Sequence, residues 1–189
     1  MATQKGSDKW KLKKWFSAYA PKPFNDVLIA ELPANDEKAI IGRNIRVGLD
    51  KLTQNPQNSF ANVFFRITEA NGDRAQLKLI RIELLFSYVR SLARRYRSLS
   101  DSILKVTTKD DRQMVMKPLV VTASRETHAR IMGIRKELNQ YLEQYAKEND
   151  ADTIVSEVVS GKLQSNLYAK LKHITQLNRV EMKKLELKQ

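Results

Sequence analysis

Between residues 61 and 68 apolar and polar positions alternate, with Ala61, Val63, Phe65 and Ile67 on one side and Asn62, Arg66 and Thr68 on the other. A period of two predicts a half-buried strand. Phe64 interrupts the polar side, so that face is expected to be partly covered. Asn71-Gly72 follows, a strong hairpin signal, and leads into a second strand over 75–82. Near Leu79 and Ile80 the apolar phase slips by one, which predicts a bulge or a strand end. Further strands are expected at 103–108 and 113–123, joined at Lys109-Asp110-Asp111. Pro118 places part of the second at an edge or a bulge. Residues 40–52, with Gly42 and Gly48, form another candidate strand.

Elsewhere the period lengthens. In 85–99, Leu85, Val89, Leu92 and Tyr96 fall at helical spacing and predict an apolar stripe. Arg90, Arg94 and Arg97 then form a basic ridge on the same helix, with Arg95 beside it. A longer helix is expected over 126–147, burying Ile131, Ile134, Leu138, Leu142 and Tyr145, with Arg130, Arg135 and Lys136 facing outward. Two shorter helices follow at 152–159 and 162–177, parted near Gly161. Met114 and Met116 are expected to fill the core. The fold class is α+β: a small β-barrel-like core of antiparallel strands flanked by helices, with the C-terminal part mostly helical. Three regions are expected. Residues 1–24 form a basic N-terminal arm, 25–147 the β-rich core with its inserted arginine-rich helix and long following helix, and 148–189 a C-terminal helical extension.

Charge changes this picture from a fold to a function class. The 189 residues hold 34 Lys+Arg against 21 Asp+Glu, a formal net charge of +13. The excess is local: residues 1–24 carry six basic and one acidic side chain, and residues 74–135 fourteen and five, while the remainder is near balance. Between Ser87 and Ser100 no acid occurs at all. Solvated helix faces usually mix in Glu at i±4, so four arginines without one predict an anionic partner that neutralises them. Arginine grips phosphate bidentately and stacks on bases, which makes these side chains a candidate backbone clamp. In the arm, Lys9, Lys11, Lys13 and Lys14 interleave with Trp10 and Trp15. Two roles fit the tryptophans, stacking on bases or locking the arm onto the domain.

Reactive chemistry is scarce. Cysteine is absent, and His128 and His173 lack local metal-ligand partners. Gly42 and Gly48 have the wrong spacing and no Lys for a phosphate loop, and Asp110-Asp111 suits a turn better than a metal. The longest apolar run, 27–30, is far short of a membrane span, and the first residues lack the apolar core of a signal peptide. No enzyme, cofactor, metal or membrane partner is expected.

The chain also resembles a known family, the archaeal and eukaryotic small-subunit ribosomal protein S-one-e, also called S-three-A-e. The resemblance is carried by DKWKLKKW at 8–15, Ala20-Pro21 and Phe24, Gly42-Arg43 with Val47 and Leu49, and SYVRSLARR at 87–95. VTTKD at 106–110, Ile134-Arg135 and VSGK at 159–162 extend it collinearly over almost the whole chain. The form resembled is the short archaeal one. Asp111 stands where many relatives have Gly, Arg81 where Gly is also common, and Ile174-Thr175 where a Tyr-Pro pair is frequent. Asp tolerates the left-handed backbone such a turn demands. The resemblance implies a structural, cytoplasmic constituent of the small subunit, on its platform near the mRNA exit. It implies contacts to small-subunit rRNA including the region near its 3′ end, to neighbouring platform proteins and to exiting mRNA. The RNA-binding set expected is Lys9, Trp10, Lys11, Lys13, Lys14, Trp15, Arg43, Arg90, Arg94, Arg95, Arg97, Lys109, Arg112, Arg125, Arg130 and Arg135. The alternative is a free RNA-binding regulator or chaperone using the same basic face.

Overall fold

A computed structural model describes Trp10, residues 13–24 and residues 26–188. In chain order the elements are β1 (Lys14–Tyr19), β2 (Leu28–Ala34), β3 (Asn44–Gly48), α1 (Leu49–Thr53), β4 (Ala61–Asn71) and β5 (Arg74–Leu84). There follow α2 (Phe86–Leu92), β6 (Leu99–Asp101), β7 (Leu104–Thr107), β8 (Gln113–Thr122), α3 (His128–Glu148), α4 (Ala151–Ser160), α5 (Lys162–Leu171) and β9 (Leu177–Leu187). The fold is mixed α and β, with its long helices in the C-terminal half. Two compact units divide the chain, one from residues 1–47 with 64–79 and one from 48–63 with 80–189.

In the first unit β1 pairs antiparallel with β2 (Phe16 opposite Leu32) and parallel with β5 (Ser17 opposite Arg74). Residues 14–19 therefore do not belong to a free arm. Phe16 and Ala18 alternate with Ser17 and are both buried, so the period of two that defines a half-buried strand is already present within the basic segment. Phe24 meets Phe65 edge to face, ring centroids 5.5 Å apart. The 71–73 hairpin forms as expected, and Gly72 at φ 60 supplies the left-handed backbone. Along β5 the buried positions run Ala75, Leu77, Leu79 and then Ile82. The slip of phase is real, yet the strand continues through it.

The second unit is built on β8, buried along nearly its whole length. One edge of β8 takes β7 and then β6, both antiparallel, and the other takes β9, whose C-terminal part also pairs with β5 (Ile82 opposite Leu185). Pro118 sits where the neighbour changes from β7 to β6, and its missing N–H coincides with a register shift against β9. Helix α3 buries Ile134, Leu138, Leu142 and Ala146 at four-residue spacing, whereas Ile131 and Tyr145 are only half-buried. Helices α4 and α5 add Ile154, Val155, Leu163 and Leu167 to this core, and Gly161 at φ 79 ends the first of them. Met114 and Met116 are buried, as expected.

Three expectations are corrected. The helix over 85–99 stops at Leu92: Ala93 turns extended and Leu99 is captured by β8 opposite Val121. No acid relieves the four arginines there, so continued helix has little electrostatic support. Residues 40–52 hold only a five-residue strand, β3, before α1 begins. The extension over 148–189 is not helical throughout: the helix expected over 162–177 ends at Leu171, and Leu177–Leu187 form β9, paired along β8.

Candidate nucleic-acid interface

The loop of residues 93–98 carries Arg94, Arg95 and Arg97, all exposed. Its upstream end is held by the N–H of Ala93 donating to the Arg90 carbonyl and by Arg94 Nε donating to the Ser91 carbonyl at 3.0 Å. Downstream, the Ser98 N–H donates to Thr122 Oγ1 at 2.9 Å and the Thr122 N–H to the Ser98 carbonyl at 3.0 Å. Ser98 Oγ in turn accepts the N–H of Glu126. The arginines thus project from a segment fixed at both ends rather than from a helical ridge.

Arg94, Arg95 and Arg97 share a recess of ≈ 520 Å³ with Arg179 of β9, and Tyr88, Ser91 and Leu92 of α2 complete its lining. Tyr88 ties this wall together. Its ring stacks on Phe60 at 4.4 Å, its hydroxyl donates to Glu181 Oε1 at 3.0 Å, and Arg179 Nη1 donates to that hydroxyl. Burial raises the Tyr88 hydroxyl above its ordinary pKa, and the Glu181 carboxylate beside it pushes the same way. Glu181 is itself raised by burial, opposed by the Tyr88 hydrogen bond and the Arg179 charge. Among the described residues no acid lies within ion-pair distance of Arg94, Arg95 or Arg97; Arg179 meets Glu181 only at 3.8 Å. Four guanidiniums around one concavity repel each other until an anion enters, and a phosphate diester suits their forked geometry. Arg179 was not among the expected residues. It lies in a charge-balanced segment, two residues from Glu181, and nothing local marks it.

The other expected residues divide. Arg90 lies on α2 with its guanidinium 5.0 Å from the Phe86 ring centroid, outside the recess lining. Arg125 is exposed on the segment that Ser98 anchors. Arg130 pairs with Glu126 at 3.0 Å, and Arg135 Nε donates to Ser100 Oγ of β6 at 3.1 Å. Glu126 also accepts hydrogen bonds from Thr175 and Ser124. The Thr175 bond first, then the Arg130 bond, hold its carboxyl below the usual carboxylate range against the opposing effect of burial. Lys109 and Arg112 sit at the turn before β8, and ten residues of strand put them about 30 Å from the loop of residues 93–98. Arg112 there pairs with Asp152 at 3.6 Å, and Lys109 shares its recess with Asp111 and Glu143. The structure does not gather these two with the arginine recess.

In the first unit, Trp10 and Trp15 meet edge to face at 6.3 Å and both remain more than half exposed, while Lys13 Nζ lies 4.3 Å from the Trp10 ring centroid. Arg43 Nη1 donates to the carbonyl of Pro33, the residue opposite Trp15 in the β1–β2 register. Lys14 borders a recess that also holds Asp36, Glu37 and Asp73, a mixed-charge surface ill suited to a polyanion. Lys9 and Lys11 lie outside the described residues.

No group of three or more metal-ligating side chains occurs among the described residues. His128 and His173 are exposed, and His173 contacts Glu137 at 3.3 Å. Asp110 Oδ2 accepts the Ala151 N–H, and Asp111 takes the left-handed turn position at φ 56, so the pair builds a turn. No helix among the described residues is long and apolar enough to cross a membrane.

Comparison with known proteins extends the sequence resemblance. The model of the Ribosomal S3Ae family matches residues 1–189. A small ribosomal subunit protein eS1 from Sulfurisphaera tokodaii is 36% identical over 180 residues, covering 95% of this chain and 93% of the relative. The proteins of the same name from Saccharolobus islandicus and Sulfolobus acidocaldarius are 36% identical over 177 residues and 35% identical over 181 residues. They span 94% and 95% of this chain, and 85% and 92% of their own lengths.

Proposed function

The chain belongs to the Ribosomal S3Ae family, and from that premise we propose that it is a structural, rRNA-binding constituent of the small ribosomal subunit. It works by assembly and not by catalysis. Its place is the cytoplasmic ribosome, on the small-subunit platform near the mRNA exit. Its contacts there are rRNA near the 3′ end of the small-subunit molecule and neighbouring platform proteins. The observation that carries the RNA-binding part is the recess in which Arg94, Arg95, Arg97 and Arg179 converge. Arg94, Arg95 and Arg97 have no acid within ion-pair distance among the described residues, and Arg179 meets Glu181 only at 3.8 Å, so the cluster gains most from phosphate. Folded rRNA presents phosphate in an A-form geometry read mainly by shape. Arg125, Arg130 and Arg135 continue the basic surface along the segment anchored to Ser98 and β6. Trp10, Lys13, Trp15 and Arg43 offer a second contact region in the first unit, and Lys9 and Lys11 belong to the same expected set, outside the described residues. Lys109 and Arg112 add a third, peripheral one.

The test is a sucrose-gradient separation of native extract at low and high salt, with the chain followed by mass spectrometry. Near-stoichiometric retention in small subunits through the high-salt wash is expected. Migration at the top of the gradient, or release by salt, would overturn the reading in favour of a free RNA-binding regulator, whose binding weakens steeply with salt.

A further inference from the structure

We propose that Tyr96 is a stacking platform for a single unpaired nucleobase, set at the tip of the arginine loop. The inference rests on the rRNA-binding reading and adds to it a contact that distinguishes unpaired from paired RNA. Tyr96 is 84% exposed, more than any other large hydrophobic side chain among the described residues. The Arg97 N–H donates to the Arg94 carbonyl at 3.4 Å, so residues 94–97 form a turn with Tyr96 at its third position. There φ is +63, in the left-handed region that favours glycine or asparagine. A tyrosine at such a position is locally disfavoured, and a ring left in solvent recovers nothing by packing. The outlier points to a partner outside the chain.

The chemistry around it selects that partner. Arg95 and Arg97, both exposed, adjoin Tyr96 in the chain, and Ser91 and Ser98 hold the two ends of the segment. A nucleobase laid on the ring brings its own phosphates toward these arginines. Bases inside a duplex are already stacked, whereas a splayed base has a free face for an aromatic side chain. A pre-formed turn also avoids much of the ordering cost of binding.

Two probes test this with the full chain: a single-stranded oligoadenylate and an A-form RNA duplex of equal length, each titrated over a salt series. Tyr96→Asn removes the ring and suits the backbone, so the turn survives. It is expected to weaken oligoadenylate binding about five- to 150-fold while leaving duplex affinity and the salt slope unchanged. Tyr96→Phe should bind both probes as the native chain does. The combined Arg94→Ala, Arg95→Ala, Arg97→Ala variant should lose affinity for both probes and flatten the salt slope by about 2–3. If Tyr96→Asn binds oligoadenylate like the native chain while the arginine variant weakens, stacking is wrong and the phosphate clamp stands. Equal loss on both probes by Tyr96→Asn would also overturn stacking. An arginine variant that binds both probes with native affinity and slope would overturn the rRNA-binding reading itself.

Discussion

Glu126 shows how one acid can hold an arginine and the root of the arginine loop while staying outside the recess. Its carboxylate accepts from Thr175, Ser124 and Arg130, while its N–H donates to Ser98 at the root of the arginine loop. The charged form is stabilised by these donors, so the carboxyl titrates below its ordinary 4.5 in the folded chain. A depressed carboxyl contributes stability that is fully present above its unfolded pKa and fades as the pH falls through the folded one. Glu126→Gln should therefore lower the melting temperature at pH 7, and the gap to the native chain should narrow on acidification below about 4.5. Thermal unfolding between pH 7 and pH 3 measures it; a gap independent of pH would mean the charge plays no part. At this scale the sequence marks Arg94, Arg95 and Arg97 by the lack of nearby acids, a local property. It misleads on Tyr96, whose helical spacing from Leu92 suggests burial although the helix has already ended.

Strand β9 explains why an element of eleven residues escapes a periodicity argument. Its inward residues are Leu177, Val180, Met182 and Leu185, spaced by threes and twos in the manner of a helix face. The pairing accounts for the spacing. Lys117 and Pro118 oppose Lys184 and Met182, and Val121 and Thr122 oppose Arg179 and Leu177. Lys183 and Asn178 are thus extra residues in two bulges, and each moves the next apolar side chain back onto the core face. Deleting Lys183 should turn Leu185, only 1% exposed, away from the core. The expected cost is about 2–5 kcal/mol, the range for emptying a buried leucine site. Lys183→Ala should cost under about 1 kcal/mol, since its pair with Asp101 at 3.6 Å is exposed. Denaturant unfolding of both variants checks the bulge: similar, small losses would refute it.

For the whole molecule, β9 joins the last residues of the chain to β8 and to the end of β5. Ending the chain before residue 177 strips β8 of a partner along its entire length. It also removes Val180, Met182 and Leu185 from the core. Such a chain should lose cooperative unfolding, seen as a broad melt by circular dichroism; a sharp native-like transition would show that β9 is dispensable. It should also leave the arginine recess incomplete, because Arg179 leaves with the strand. The sequence by itself determined what depends on neighbours in the chain. Alternation marks β4 and β5, helical spacing marks the long helix α3, and the 71–73 turn follows from Asn-Gly. The middle segment's excess of arginine is local in the same way, and is the basis for proposing a polyanion. Only the tertiary structure decided that α2 is short, that residues 14–19 are a strand, that β9 exists and that Arg179 meets Arg94, Arg95 and Arg97. Strand pairing draws its hydrogen bonds from residues far away in the chain, and it overrides local propensity wherever a partner edge is open.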